Sequence, residues 1–146
     1  MKIAWLAILL ITVFSGGISV ITRINEYTQI AANAYARHDY MEAIASYGYL
    51  LDDLEVKDDQ IQLNLAHAYY QAGLYPQAME NYQLLADHPS QHLRALAHLQ
   101  LGNIYTKQKK YKLALALYKL ALIAEPGNNA ARYNYELLKK YLELHP

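Results

Sequence analysis

The side chains that most often carry chemistry in proteins are sparse in this sequence and fall in no catalytic arrangement. His88 and His92 are four residues apart, a spacing that can place two metal ligands on one face of a helix. Pro89 breaks a helix at this point and no third ligand is near in the sequence, so a pair of loop histidines is the better interpretation. The chain has no cysteine, which excludes a thiolate nucleophile, a disulfide and a thiolate metal site.

The serines and glycines complete no recognised motif either. Ser46 and Ser90 lack the flanking residues that mark a nucleophile, and the six glycines form no phosphate-binding loop. We therefore expect a protein that is not an enzyme and that holds no cofactor and no metal.

The charges balance overall but are divided along the chain. Thirteen basic and thirteen acidic residues give a formal net charge of zero, which argues against nucleic acid as a partner. Residues 39–87 contain nine acidic residues and one basic residue, whereas residues 94–140 contain nine basic and two acidic residues. This division indicates either two solvated surfaces or a surface for oriented docking of a charged partner.

An apolar segment opens the sequence. Residues 3–22 contain no charged side chain and lie between Lys2 and Arg23. Twenty helical residues extend about 30 Å, the thickness of the hydrocarbon core of a bilayer, so residues 1–23 are predicted to be a membrane anchor. A signal peptide cleaved after Ser15 and a buried N-terminal helix are the alternatives. Lys2 and the terminal amine favour a position of the remaining chain outside the cytoplasm.

From residue 24 onward one pattern of small and large residues occurs three times. The copies read Ile30-Ala31, Ala34, Tyr40, Ala43, Tyr47, Leu50, Glu55; Leu65-Ala66, Tyr69, Tyr75, Ala78, Tyr82, Leu85, Ser90; and Leu101-Gly102, Tyr105, Tyr111, Ala114, Tyr118, Ala121, Pro126. The spacing predicts two amphipathic helices in each copy, and neighbouring copies must stack because neither helix can bury its apolar face alone.

This pattern resembles the tetratricopeptide repeat (TPR) family throughout residues 24–128. The resemblance implies an all-α helical-hairpin solenoid of three repeats, at residues 24–57, 59–92 and 95–128, preceded by the N-terminal hydrophobic helix. Residues 129–146 would form a capping helix, with Tyr133, Leu137, Leu138 and Tyr141 on one face and Tyr133 and Tyr141 on its buried side. Gly102 is expected where two helices approach closely. Tyr35, Tyr49, Tyr70 and Tyr135 fall outside the core positions and are candidates for a contact surface.

In this family a partner binds mainly on the concave side, formed by the first helix of each repeat. The resemblance therefore gives nine candidate partner-binding residues: Asn25, Thr28, Tyr35, Asn64, His67, Tyr70, Gln100, Asn103 and Thr106. Amides beside tyrosines are typical of a peptide groove. Some members grip a C-terminal carboxylate with a lysine and asparagines, but Thr28 and Ala32 occupy two of those positions here, which argues against that mode.

Two functional interpretations follow. The first is a membrane-tethered scaffold or assembly factor of the bacterial cell envelope, anchored in the inner membrane with its repeats in the periplasm. One N-terminal span, a few repeats and the ending AARYNYELLKK (residues 130–140) are similar to small bacterial proteins of the aerotolerance-operon type. That likeness implies a MoxR-type ATPase or von Willebrand A-domain proteins as partners. The second is a cleaved, soluble periplasmic chaperone-like binder. A weaker third interpretation is self-assembly through exposed tyrosines.

Overall fold

The computed structural model describes the backbone of residues 2–146 and the side chains of residues 16–146. The helices are α1 Lys2–Ala36, α2 Tyr40–Gly48, α3 Asp59–Gln71, α4 Tyr75–Gln83, α5 Gln91–Lys107, α6 Tyr111–Ala124 and α7 Asn129–Leu144. A π-helical turn, Tyr49–Asp53, follows α2 directly. These residues contain no strand, so the all-α prediction is confirmed for the part of the chain that is described.

Within that part, no helix combines the length and the apolar character that a bilayer span requires. The predicted anchor comprises residues 3–22, and the side chains of residues 3–15, which make up most of it, lie outside the described part of the structure. The anchor and the repeat boundaries stay predictions.

The chain divides into two compact units, Met1–Ala68 and Tyr69–Pro146. In the first unit the end of α1 packs against α2, and Ala31, Ala34, Ala43 and Leu50 are fully buried at the contact. Alanines let two helix axes approach closely, which explains why Ala34 fits a position where the family pattern has an aromatic residue.

The second unit is built on the packing of α5 against α6, with α4 and α7 on either side. Ala78, Tyr82, Ala114 and Tyr118 are at most 2% exposed. Side-chain caps fix the helix starts: Leu93 N donates to Ser90 Oγ (3.4 Å) at α5, and Ala131 N donates to Asn128 Oδ1 (3.0 Å) at α7. Such caps satisfy backbone donors that the helix cannot satisfy itself.

The close approach expected at Gly102 is confirmed. A Cβ atom built on Gly102 would lie 2.6 Å from Cε1 and 2.7 Å from Cδ1 of Tyr118. The ring of Tyr118 therefore rests directly on the α5 backbone, and only glycine fits beneath it.

The three helical hairpins turn in the same way. His38, Gly73 and Lys109 each have a positive φ, at 66°, 75° and 59°. The next amide reaches back five residues in each turn: Asp39 N to Ala34 O (2.8 Å), Leu74 N to Tyr69 O (2.9 Å) and Lys110 N to Tyr105 O (2.9 Å). This is the Schellman closure of a helix C-terminus, and two of its three left-handed residues are not glycine.

The buried face of α7 differs from the expectation. Tyr133 is 66% exposed and Tyr141 is 42% exposed, so the prediction that they belong to the buried face is wrong, whereas Leu138 of the same predicted face is buried. The helix packs instead through Ala131 and Leu138, with Tyr135 partly buried beside them. Residues 131, 135 and 138 form one stripe at helical spacing, and the small Ala131 brings α7 close to α6. Tyr135 is therefore partly packed against the core, and its place at a contact surface stays a prediction.

Candidate functional site

The second unit contains a cavity of about 320 Å³, which we call the C-terminal cavity. Its lining residues are Thr106, Tyr111, Tyr118, Asn134, Leu137, Leu138 and Tyr141. Leucine side chains and tyrosine rings make up most of the wall, and hydroxyl and amide groups converge at one side. A concave, mostly apolar surface with a few placed polar groups is the usual form of a binding site.

A hydrogen-bonded network holds the polar side of the C-terminal cavity. The Tyr118 hydroxyl donates to Asn103 Oδ1 (3.0 Å), and Asn134 Nδ2 donates to the same oxygen (3.0 Å). Asn103 Nδ2 in turn donates to Gln100 Oε1 (3.1 Å), and Thr106 Oγ1 lies 2.9 Å from the Tyr118 hydroxyl. Burial raises the pKa of Tyr118, against the lowering effect of the hydrogen bond with Thr106. The phenol therefore stays protonated and keeps its role as a donor.

The first unit contains a smaller cavity of about 240 Å³, the N-terminal cavity, lined by Ala32, Tyr35, Tyr47, Asn64 and His67. Tyr47 is hydrogen-bonded to Asn64, and burial raises the pKa of the Tyr47 phenol. Burial also lowers the pKa of His67, which is therefore neutral near pH 7. This cavity offers a ligand polar groups without a formal charge.

The two cavities share one plan although they lie in separate units. In the first, Tyr47 from α2 is hydrogen-bonded to an asparagine of the following helix, α3. In the second, Tyr118 from α6 is linked through Asn103 to Asn134 of the following helix, α7. The same ring position and an asparagine recur at each site because the sequence repeats.

Six of the nine candidate residues fall at these cavities. Tyr35, Asn64 and His67 line the N-terminal cavity, and Thr106 lines the C-terminal one. Gln100 and Asn103 belong to the network that supports Tyr118.

The other three candidates lie elsewhere. Asn25 and Thr28 are exposed on α1 and line neither cavity, and Thr28 Oγ1 donates to Ile24 O (2.7 Å) along its own helix. Tyr70 packs edge-on against Tyr75, and Lys107 Nζ lies 5.8 Å from the centroid of the Tyr70 ring. A binding role for any of the nine stays a prediction.

Several lining residues were missed because the repeat pattern assigns them to the core. Tyr47 and Tyr118 are buried and line the cavities, and their hydroxyls are hydrogen-bonded to Asn64 and Asn103, which phenylalanine could not do. Asn134 could have been found, since Asn64 and Asn134 are both the sixth residue of their predicted segments, 59–92 and 129–146.

His88 and His92 make separate contacts. His88 Nδ1 accepts from Ser90 N (3.0 Å), and His92 Nδ1 lies 3.1 Å from Glu125 Oε1. The contact with His92, then the bond from Asn128, holds the pKa of Glu125 below its usual range. Among the described residues, no group of three histidine, aspartate or glutamate side chains is placed to hold a metal ion.

The neutral His67 predicts a pH-dependent stability. Because burial puts the folded-state pKa of His67 below the unfolded value of about 6.5, the unfolded chain binds the proton first as the pH falls. The stability associated with neutral His67 is fully present above about pH 6.5 and is lost as the pH falls through the folded-state pKa. Urea unfolding between about pH 7.5 and pH 5 should show this loss.

The matched variant is His67→Gln, which is neutral at every pH of that series. We expect its unfolding free energy to fall less steeply with acidity than that of the parent chain. Burial also lowers the pKa of His98, with Asp87 raising it and Arg94 lowering it, so some slope should remain. An identical slope in both proteins would contradict a desolvated His67.

Comparisons with known proteins agree on the fold. The TPR domain of Arabidopsis OM64 superposes with a TM-score of 0.71 at 20% identity, covering 84% of this chain and 98% of that domain. The Sgt2 TPR domain from Aspergillus fumigatus gives a TM-score of 0.68 at 24% identity, covering 82% of this chain and 79% of the other. The chain has the tetratricopeptide-repeat fold.

The sequence comparison with known proteins covers a smaller part of the chain. Over 69 residues, 47% of this chain, the sequence is 30% identical to the intraflagellar transport protein 88 homolog of Homo sapiens. The chain spans 8% of the length of that protein. No family model matches the chain.

Proposed function

We propose that this protein is a non-enzymatic scaffold that binds a partner protein at its two cavities. The observation that carries the proposal is the shared plan of the N-terminal and C-terminal cavities, each with an apolar wall and a hydroxyl–amide floor. Apolar walls suit aliphatic or aromatic side chains of a partner, and the floor groups can bond to its backbone. The TPR fold supports this role, since repeats of this kind present extended binding surfaces.

The test fills both cavities without disturbing the networks below them. Ala32 and Leu137 line the two cavities with exposed side chains, so Ala32→Arg and Leu137→Glu can be combined in one variant. We expect partner capture to fall about tenfold or more, because large charged side chains then occupy the apolar walls. Capture is measured by quantitative mass spectrometry after crosslinked pull-down through a C-terminal tag.

The matched control makes the same two kinds of substitution away from the cavities. Ala45→Arg on α2 and Leu120→Glu on α6 replace exposed residues that line neither cavity. The control should capture the same proteins as the parent chain. Equal losses in both variants, or no loss in the first, would place the binding surface elsewhere.

The cellular setting is a further part of the proposal. Residues 3–22 support a single-pass inner-membrane anchor with the TPR domain in the periplasm of a bacterium. The likeness to aerotolerance-operon proteins supports a MoxR-type ATPase or von Willebrand A-domain proteins as partners. Intact mass of the mature protein tests the anchor: retention of residues 1–23 favours the tethered scaffold. A mass that begins near Gly16, with the protein in the soluble envelope fraction, would favour the periplasmic chaperone-like binder.

A further inference from the structure

A recess rich in lysine lies outside the two cavities, at the turn between α5 and α6. It measures about 340 Å³ and is lined by Lys109, Lys110, Tyr111, Lys112, Leu113 and Leu142. We call it the lysine recess. It shares only Tyr111 with the C-terminal cavity.

The charges of the lysine recess are largely uncompensated. Lys109 and Lys112 are exposed and form no ion pair among the residues that the structure describes. Lys110 Nζ lies 5.6 Å from the centroid of the Tyr105 ring, a contact that leaves its charge in place. Leu113, 52% exposed, adds an apolar wall. A cationic rim around an apolar wall suits an acidic segment that carries an aliphatic side chain.

The chain itself contains a segment of that chemistry. Residues 52–59, DDLEVKDD, place Leu54 and Val56 among five carboxylates and one lysine. Asp52, Asp53 and Glu55 are exposed, and no ion pair or hydrogen bond of their side chains occurs in the described residues. We call residues 52–59 the acidic segment.

The backbone of the acidic segment is already ordered. Leu54 N donates to Tyr49 O (3.1 Å) and Val56 N donates to Leu50 O (2.9 Å). Asp58 Oδ1 accepts from the amides of Gln60 (2.8 Å) and Ile61 (3.1 Å) at the start of α3. A segment held in this way loses little conformational freedom when it binds.

We propose that the acidic segment of one copy of this protein docks in the lysine recess of a second copy. The net charge of zero removes the long-range repulsion that would keep copies apart, and the two oppositely charged surfaces attract. The contact joins two different surfaces of the chain. It gives a two-fold dimer if two copies dock reciprocally, and a closed ring or an open filament if they dock head to tail.

The test measures energy transfer between copies of the full chain in nonionic detergent. The chain has no cysteine, so Gln71→Cys, an exposed and uncharged position, gives one labelling site. Donor-labelled and acceptor-labelled copies are mixed over a range of concentrations at about 50 mM and about 500 mM NaCl. We expect concentration-dependent transfer at low salt, with an apparent affinity about tenfold weaker at high salt, where the charges are screened.

Charge reversal identifies the two surfaces. Asp52→Lys with Asp53→Lys, or Lys109→Glu with Lys112→Glu, should each weaken association about tenfold. An equimolar mixture of these two variants should restore it, because each reversed surface then meets an opposite charge. Restoration also shows that both variants fold.

Controls carry the same changes of net charge at other exposed sites. Glu26→Lys with Glu80→Lys, and Lys119→Glu with Lys140→Glu, should leave the association unchanged. A monomer at every concentration in low salt would overturn the proposal and leave a separate acidic protein as the ligand to seek. Association that ignores salt and charge reversal would also overturn it, since residues 3–22 or exposed tyrosines would then be responsible. Failure of the equimolar mixture to restore association would likewise overturn the proposal.

Discussion

Gly102→Leu is expected to lower the free energy of unfolding by about 3 kcal/mol or more, the largest effect of overpacking that we foresee in this chain. Even the Cβ of alanine would sit 2.6 Å from the Tyr118 ring. That ring is 2% exposed and its hydroxyl is bonded to Asn103, so displacing it disturbs both the core packing and this hydrogen bond. Gly102→Ala should cost about 1–2 kcal/mol, a smaller loss because helix propensity improves. Urea denaturation followed by circular dichroism measures both.

A second glycine gives the matched control. Gly48 also lies in a helix, but a Cβ at that position meets nothing within 4 Å. Gly48→Ala should therefore leave stability unchanged or raise it by up to about 1 kcal/mol. In a Tyr118→Leu background, the cost of Gly102→Ala should largely disappear, because the ring that it strikes is gone. Unaltered melting of Gly102→Leu would show that the helix register is wrong.

Tyr82→Ala should destabilise the protein by about 3–5 kcal/mol, the range found when a buried aromatic side chain is deleted. Tyr82 is 0% exposed and is among the largest fully buried side chains of the described residues. Its removal leaves a void between helices that are too rigid to close it completely. The midpoint of urea unfolding should fall accordingly.

Tyr133→Ala is the same substitution at an exposed site of the cap. Tyr133 is 66% exposed, so we expect a change within about 0.5 kcal/mol. A loss at Tyr133 as large as that at Tyr82 would mean that the other face of α7 is the buried one.

The core could be predicted from spacing alone. Ala43, Ala78 and Ala114 occupy one position of the repeat, and all three are 0% exposed. A residue that recurs at the same helical phase in several copies must face the same interior, because each copy buries its apolar stripe against its neighbours. No knowledge of tertiary contacts is needed for that step.

The face of the last helix could not be predicted in this way. In α7, residues 133, 137 and 141 form one stripe and residues 131, 135 and 138 form another, and both satisfy helical spacing. The choice between them depends on which side meets α6, and no later copy of the repeat is present in the sequence to reveal it. The predicted face took Tyr133, Leu137 and Tyr141 from the exposed stripe and only Leu138 from the buried one, whereas close helix packing selects the stripe that contains Ala131.

The candidate site was predictable to the level of helices and less so for individual side chains. Six of the nine candidates fall at the cavities because the repeat fixes which helix surface they occupy. The other contacts at the site depend on how far individual side chains extend. The Tyr118 hydroxyl and Asn134 Nδ2 both donate to Asn103 Oδ1. Such side-chain contacts between helices depend on rotamers and on the distance between the helices, and neither can be predicted from a single sequence.

The three hairpin turns share one backbone conformation although their side chains differ. His38, Gly73 and Lys109 take the same left-handed backbone conformation with three unrelated side chains. The turn therefore behaves like an interchangeable loop on a constant framework. The lysine-rich sequence of the third turn could be grafted onto the first, which would transplant the basic charge to another part of the chain while the hairpin beneath keeps its geometry.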